Sequence, residues 1–382
     1  MFLEYFLHTL IQILVILWFV IVLFRIITFF YIDELGHLIL DNVGNNRVSV
    51  IVPARNEEKN ITRCLKSLQA QDYDNFEVIV VDDCSTDDTL KIIQKFCLTD
   101  DRFISIHLSE KKKNWAGKNF ACYQGSQKAT GDVLLFTDAD TDHNKESISS
   151  SLAYMNKFHL DVLTLLPTLV CKDYWSKLIL PILISMINLL YSPLFLNSKK
   201  LPIAYLIGGF ILINRKVYDD VGGHEAVKNS FVEDKSLGEL LKTAGYKLKF
   251  IRSGNIVKTF SNIGFSDNIN AMQRGISSSF IDIHPFFGII TIIIGFFALI
   301  LPYILVLQFT YFSLENILKI FLIVSFMQLS YFFEFIDVKH SKLYVFLHPF
   351  SCILLFTSLI ISVVKIQFNS PFTWRDRYYK KS

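Results

Sequence analysis

The chain lacks the usual cysteine signatures. Its six cysteines (Cys64, Cys84, Cys97, Cys122, Cys171 and Cys352) are scattered without any CxxC spacing. This argues against a zinc site or a disulfide framework and for thiols in a reducing compartment. Charge is also scarce: 19% of the 382 residues are charged and the net charge is +3. No nucleic acid or other acidic polymer is therefore implied as a partner, and local basic groups matter more than the sum. Repeats and low-complexity tracts are missing. So is a glycine-rich basic loop after the first strand-like run, which a nucleotidylyltransferase would be expected to carry. Pro53-Ala54-Arg55-Asn56-Glu57-Glu58 stands there and is acidic.

Apolar residues are abundant. A hydrophobic share of 52%, a mean hydropathy of +0.38 and 35 phenylalanines exceed what a soluble chain normally carries. Residues 5–24 hold no formal charge, about the length a helix needs to cross roughly 30 Å of hydrocarbon. A secretory signal would bring a basic start and a small-residue cleavage site, and neither is present. Residues 1–30 are read as a transmembrane anchor. Residues 285–312, 317–333 and 343–364 repeat the apolar pattern. They predict about three spans over 285–366, followed by a basic tail, 367–382. The run 178–196 is apolar too, but Pro181 and Pro193 lie near its ends, polar Ser185, Asn188 and Ser192 lie within it, and Lys177, Lys199 and Lys200 flank it. That pattern suits a helix lying in the membrane interface, with a buried core helix as the other reading.

Between these apolar stretches the pattern alternates strand and helix. Strand-type runs are expected at 48–52, 76–81, 104–108 and 133–137, and helices at 59–70, 87–96 and 119–129, with Ser85 or Thr86 capping the second helix. This is α/β architecture with a mostly parallel sheet and right-handed crossovers. The folded part is placed at 45–284.

Acidic clusters close these strands. Asp82 and Asp83 can accept hydrogen bonds from a nucleobase and ribose, although such turns also serve simply to cap helices. Pro53, Arg55 and Glu57 open beside the same crevice. Asp138 and Asp140, in Phe136-Thr137-Asp138-Ala139-Asp140, are two residues apart. In an extended segment they would leave on one face and suit Mg²⁺ or Mn²⁺ shared with substrate phosphates. Glu233 and Asp234 open a helix. One of them could take a proton from an attacking hydroxyl, yet helix starts favour acids for dipole reasons alone. Lys118 and Arg274 are cations that could meet phosphate oxygens. If these acids build one site, they must share one side of the membrane, so the run 178–196 cannot cross alone.

In this order the segments SVIVPARNEEKNI, VIVVDDCSTDDT, FTDAD, IGGFILINRKVYDDVGG and FVEDKSLGELLKTAGYKLKF resemble the family 2 inverting glycosyltransferases, over about 48–280. The resemblance implies a GT-A fold, Rossmann-like with helices on both faces, to which the apolar runs add one amino-terminal and about three carboxyl-terminal membrane helices. It also implies a nucleotide-sugar donor held by Asp83, a metal ion at Asp138 and Asp140, and Asp234 as base. The NWAGKNFA segment and the tail from Thr373 to Tyr378 look like the membrane-anchored branch that includes hopanoid-associated, carotenoid-acid and ceramide glycosyltransferases, which implies a lipid acceptor. The family's QxxRW element is degraded here: Gln273 and Arg274 remain at altered spacing, and no tryptophan follows. That counts against the alternative of a processive polysaccharide synthase. An inactive membrane scaffold is the non-enzymatic alternative.

The apolar runs imply a multi-pass protein of the cell membrane, and because nucleotide-sugars are cytoplasmic its catalytic part is expected to face the cytoplasm. Three later spans would leave the tail outside, while Arg375, Arg377, Lys380 and Lys381 favour the cytoplasm. Either one carboxyl-terminal segment is re-entrant or the charge rule fails. Sugar, acceptor and oligomeric state are not legible.

Overall fold

A computed structural model describes the chain except residues 1, 38–42, 111, 113, 117, 202, 231, 281–284, 339–340, 369–371, 375–376 and 380–382. Arg375, Lys380 and Lys381, on which the tail's charge was read, lie outside the described residues. The chain divides into two compact units. One comprises residues 32–169 and 191–260; the other comprises 1–31, 170–190 and 261–382.

The first unit is built on a seven-stranded sheet. Its strands are β1 (Val48–Ala54), β2 (Phe76–Asp83), β3 (Phe103–Leu108), β4 (Val133–Phe136), β6 (Val162–Leu166), β8 (Ile211–Asn214) and β9 (Leu248–Arg252). Two-residue β5 (Asp142–His143), β7 (Thr168–Val170) and β10 (Val257–Phe260) form a smaller sheet. In the large sheet the order is β3-β2-β1-β4-β8-β6-β9. β1 pairs in parallel with β2 and β4, and β2 with β3, whereas β8 runs antiparallel to both its neighbours.

The strand runs read as continuously apolar because both faces are covered. Val48, Val50, Val52, Val78, Val80, Val133 and Leu135 face one core, with helix Ile61–Gln69 supplying Ile61, Leu65 and Leu68. Ile51, Ile79, Val81, Leu134 and Phe136 face the other core, with Ala121 and Cys122 of helix Asn119–Lys128. That helix sits close to the sheet because residue 125 is glycine: a Cβ there would lie 2.5 Å from Ile51 Cγ2.

Local readings shift by a few residues, for physical reasons. Helix Thr89–Thr99 starts after the acidic turn, and the Asp87 carboxylate accepts from Thr89 N–H at 3.0 Å and Thr89 Oγ1–H at 2.5 Å. Ser85 and Thr86, expected as caps, bind the neighbouring loop instead. Ser85 Oγ accepts from Asn56 N–H at 3.0 Å, and Thr86 N–H donates to Asn56 Oδ1 at 2.9 Å.

The second unit is helical. Among the described residues five stretches are long and apolar enough to cross a membrane: Glu4–Tyr31, Tyr174–Leu196, Phe286–Leu307, Leu314–Ile336 and Lys342–Gln367. One is amino-terminal and three are carboxyl-terminal, as the sequence led us to expect. Tyr174–Leu196 also qualifies by length and composition. Residues 261–280, placed in the α/β part by sequence, group with this helical unit, where Phe265–Phe280 is a helix. Arg25 and Glu334 form an ion pair here at 2.9 Å, with 5% and 3% of their side chains exposed. Ser185 accepts from Arg25 through both its carbonyl (2.5 Å) and its hydroxyl (2.8 Å) oxygens, and Asn188 Nδ2 donates to Glu334 at 2.9 Å.

Candidate active site

The carboxyl ends of β1, β2 and β4 deliver their loops to one edge of the sheet, the edge where open α/β sheets place ligands. After β1 and β2 the chain turns through Asn56 (φ 51°) and Cys84 (φ 57°), both left-handed. The two turns are laced together. Arg55 Nη1 donates to Asp83 O at 2.7 Å and Cys84 O at 3.1 Å, and Glu57 N–H donates to Thr89 Oγ1 at 2.8 Å. Glu57 is buried and its carboxylate accepts from Asn60 Nδ2 at 3.0 Å. Asp83 is buried at the end of β2. Asp82 is fully buried with Oδ2 2.9 Å from His107 Nδ1 of β3, while its Oδ1 is buried without a hydrogen bond. These residues form a rigid rim at the first two strands.

The FTDAD segment is not extended where the acids fall. β4 ends at Phe136 and residues 139–140 form a turn, with Thr141 N–H donating to Asp138 O at 3.3 Å. The alternation argument for Asp138 and Asp140 therefore lacks its premise: a tight turn, not a pleated strand, sets their directions. The turn is held from beneath. Arg63 Nη2 donates to Asp140 O at 3.0 Å, and the Arg63 guanidinium stacks 3.8 Å over the Phe260 ring. Thr137 Oγ1 donates to Gly209 O at 2.8 Å, tying this turn to the segment entering β8.

Lys118 connects the clusters. Its Nζ is 2.8 Å from Asp138 Oδ1 and 3.3 Å from Glu233 Oε1, and 19% of its side chain is exposed. Asp234 belongs to the same group: with Lys118, Pro53, Thr137, Gly208 and His224 it lines one narrow crevice. A Cβ on Gly208 would lie 2.6 Å from both Asp234 Oδ2 and Lys118 Nζ, so only glycine fits there without moving them. The sequence-derived residues Pro53, Lys118, Asp138, Glu233 and Asp234 thus converge. Arg274 lies on helix Phe265–Phe280 of the helical unit.

Electrostatics follow from this packing. Burial works against the Lys118 ammonium, but Asp138, Asp234 and Glu233 outweigh it and hold its pKa well above the ordinary lysine value. Burial, together with the like charge of Glu233, pushes Asp234 well above the usual carboxylate range, with Lys118 opposing the shift. His224, not singled out from sequence, is buried in the crevice wall. Its Nδ1 is 2.9 Å from Tyr218 OH, and burial pushes its pKa down to about 3. A lone histidine after Gly222-Gly223 carries no sequence feature that would have revealed this. His107 was missed likewise; its partnership with Asp82 depends on strand register.

The donor set suits a hard divalent cation: Asp138 has 39% of its side chain exposed beyond its contact with Lys118, and Asp140 is half-buried in the same turn. Among the described residues no three His, Cys, Asp or Glu side chains gather closely enough to hold an ion by themselves. An ion there would take further oxygens from a bound phosphate.

Comparison with known proteins agrees with this geometry. Over 119 residues, 31% of this chain and 20% of the relative, the sequence is 40% identical to poly(ribitol-phosphate) β-N-acetylglucosaminyltransferase TarS of Staphylococcus aureus. Over 195 residues it is 29% identical to 4,4'-diaponeurosporenoate glycosyltransferase of Staphylococcus haemolyticus, covering 50% of each chain. The chain thus spans half or less of the length of these relatives. A mannosyltransferase from Pyrobaculum calidifontis, solved with GDP-Man and Mn²⁺, has the same fold with a TM-score of 0.54 at 16% identity, over 94% of this chain and 98% of that one. This is the GT-A architecture expected from the motifs. The sequence profile of Glycosyl transferase family 2 matches residues 49–222, and the chain carries a domain of that family.

Proposed function

We propose that the protein moves one sugar from a nucleotide-sugar to a lipid hydroxyl or carboxylate with inversion at the anomeric carbon. One observation carries this reading: Asp138 and Glu233, some ninety residues apart in sequence, both contact Lys118, which lines one crevice with Asp234. The rim made by Arg55, Glu57, Asp82 and Asp83 receives the nucleoside, with Asp83 taking the base. Asp138 and Asp140 hold Mg²⁺ or Mn²⁺, which when bound neutralises the diphosphate as it leaves. Asp234 accepts the proton of an acceptor hydroxyl as that oxygen bonds to the anomeric carbon and the bond to the diphosphate oxygen breaks. With a carboxylate acceptor no proton moves, and Asp234 orients the acceptor.

Membrane residence rests on the apolar helices. The stretch Tyr174–Leu196 leads at both ends into residues of the sheet-bearing unit. A single crossing would divide that unit between two compartments, so this helix lies in the membrane interface; the catalytic unit faces the cytoplasm because its nucleotide-sugar donor is found there.

A second reading takes a polyol-phosphate polymer as acceptor and is favoured by the 40% identity to TarS. Membranes containing the protein, incubated with a panel of nucleotide-sugars with and without Mn²⁺, decide between them. Mass spectrometry should find a lipid gaining one hexose only when metal is present. Sugar appearing on added poly(ribitol phosphate) and on no lipid would replace the first reading by the second.

A further inference from the structure

Among the described residues Lys118 contacts the carboxylates of Asp138 and Glu233 and feels the charge of Asp234 beside them. The lysine is also not free to leave. Next to it, Asn119 Nδ2 donates to the carbonyl oxygens of Val227, Lys228 and Ser230 at 2.9, 3.3 and 3.2 Å. On its other side Ala116 N–H donates to Lys228 O at 2.7 Å. These bonds pin the backbone around Lys118 to the loop that leads into helix Glu233–Thr243. A lysine meant simply to reach out to a phosphate would gain nothing from such anchoring. A lysine meant to neutralise carboxylates from two distant segments would.

We infer that Lys118 is a resident counter-cation: it occupies Asp138 Oδ1 in the donor-free protein and yields that oxygen when the donor's divalent ion arrives, keeping its partnership with Glu233. It is a positioning residue, and the inference rests on the donor-site reading above. Two cations repel strongly at carboxylate-bridging distance in a partly desolvated site, so ammonium and metal compete for Asp138. Without bound nucleotide the ammonium wins. A nucleoside diphosphate adds negative charge and further oxygen ligands for the metal, and so tips the exchange. Metal binding thereby becomes dependent on the donor.

The test is Mn²⁺ binding to the full-length protein in lipid nanodiscs without nucleotide, read by the electron-paramagnetic-resonance signal of free Mn²⁺. Lys118→Met should bind Mn²⁺ about tenfold more tightly than the parent protein, because three carboxyl groups are left with no cation. Lys118→Arg keeps the charge and should stay within about twofold of it. Unchanged or weaker Mn²⁺ binding by Lys118→Met overturns the inference, since a lysine that only contacts donor phosphate would leave donor-free metal binding untouched. If Lys118→Met does not fold by itself, recovery of its circular-dichroism melting transition on adding Mn²⁺ supports the counter-cation role. Failure to recover overturns it. Sugar transfer is scored separately: a protein that transfers sugar yet shows no Lys118 effect loses this inference alone. One that shows the effect and transfers nothing loses the proposed function alone.

Discussion

Each unit of the chain buries charge, and the two do so with opposite balance. In the helical unit, among the described residues, Arg25 pairs with Glu334, Ser185 accepts from Arg25, and Asn188 donates to Glu334. In the sheet-bearing unit Lys118 faces Asp138 and Glu233 directly, with Asp234 beside them. The first arrangement sets one charge against one; such pairs fix helix packing even when desolvation consumes most of the attraction. The second leaves surplus negative charge that must be relieved by a proton or another cation. Surplus, rather than burial, separates a site from a structural pair.

The sharpest way to break this contrast is to remove the surplus. Asp234→Asn should lower kcat by about 10²–10⁴-fold, the usual contribution of general-base catalysis, while donor affinity by calorimetry stays unchanged. Full turnover by this variant would remove Asp234 as base.

The structural pair should behave oppositely. Glu334→Leu leaves a buried guanidinium without its partner and should cost about 3–5 kcal/mol in unfolding experiments, whereas Arg25→Leu/Glu334→Leu together should recover most of that loss. A double variant as unstable as the single one would mean that the pair does more than cancel.

Two glycines sharpen the comparison within one unit. Gly208→Ala forces apart the ends of Asp234 and Lys118, so turnover should fall about tenfold with a stability change below about 1 kcal/mol, because flexible tips can yield. Gly125→Ala drives a methyl into Ile51 and should cost about 1–3 kcal/mol in unfolding free energy.

A further effect is in pH. Burial pushes both His143 and His224 from an ordinary 6.5 down to about 3. The unfolded chain takes up these protons near 6.5 and the folded chain does not until about 3. Stability is therefore full above about 6.5 and declines as pH falls from there toward 3. Melting temperature followed from pH 7 to about 4 should drop by several degrees, and less in His224→Gln after allowing for its lower starting value. An equal slope in both proteins would show that His224 titrates normally.

Much of the sheet was legible because its strands are buried on both faces and stand as unbroken apolar runs between helical periods, as at Val78 to Val81. The acid groups were legible as types, since each closes such a run. Their mutual placement was not. Asp138 and Asp140 looked like neighbours on a strand because two-residue spacing implies extension, yet the Thr141-to-Asp138 hydrogen bond curls the chain there. Lys118 read only as a cation that could meet phosphate oxygens, because the fact that fixes it among the acids, Asn119 binding carbonyls more than a hundred positions later, has no local trace. The limit of the α/β part at Phe260 was hidden for a similar reason: helix Phe265–Phe280 is amphipathic and polar enough to pass for a member of either unit.

Reversal of β8 has one more effect. Its first residue, Ile211, pairs with Phe136, the last of β4, so the peptide arriving at β8 reaches the sheet where the parallel strands depart. Gly208 and Gly209 are the last steps of that approach. Changes in the connection upstream of them can reshape the crevice that Gly208 lines while every inter-strand pairing stays in place.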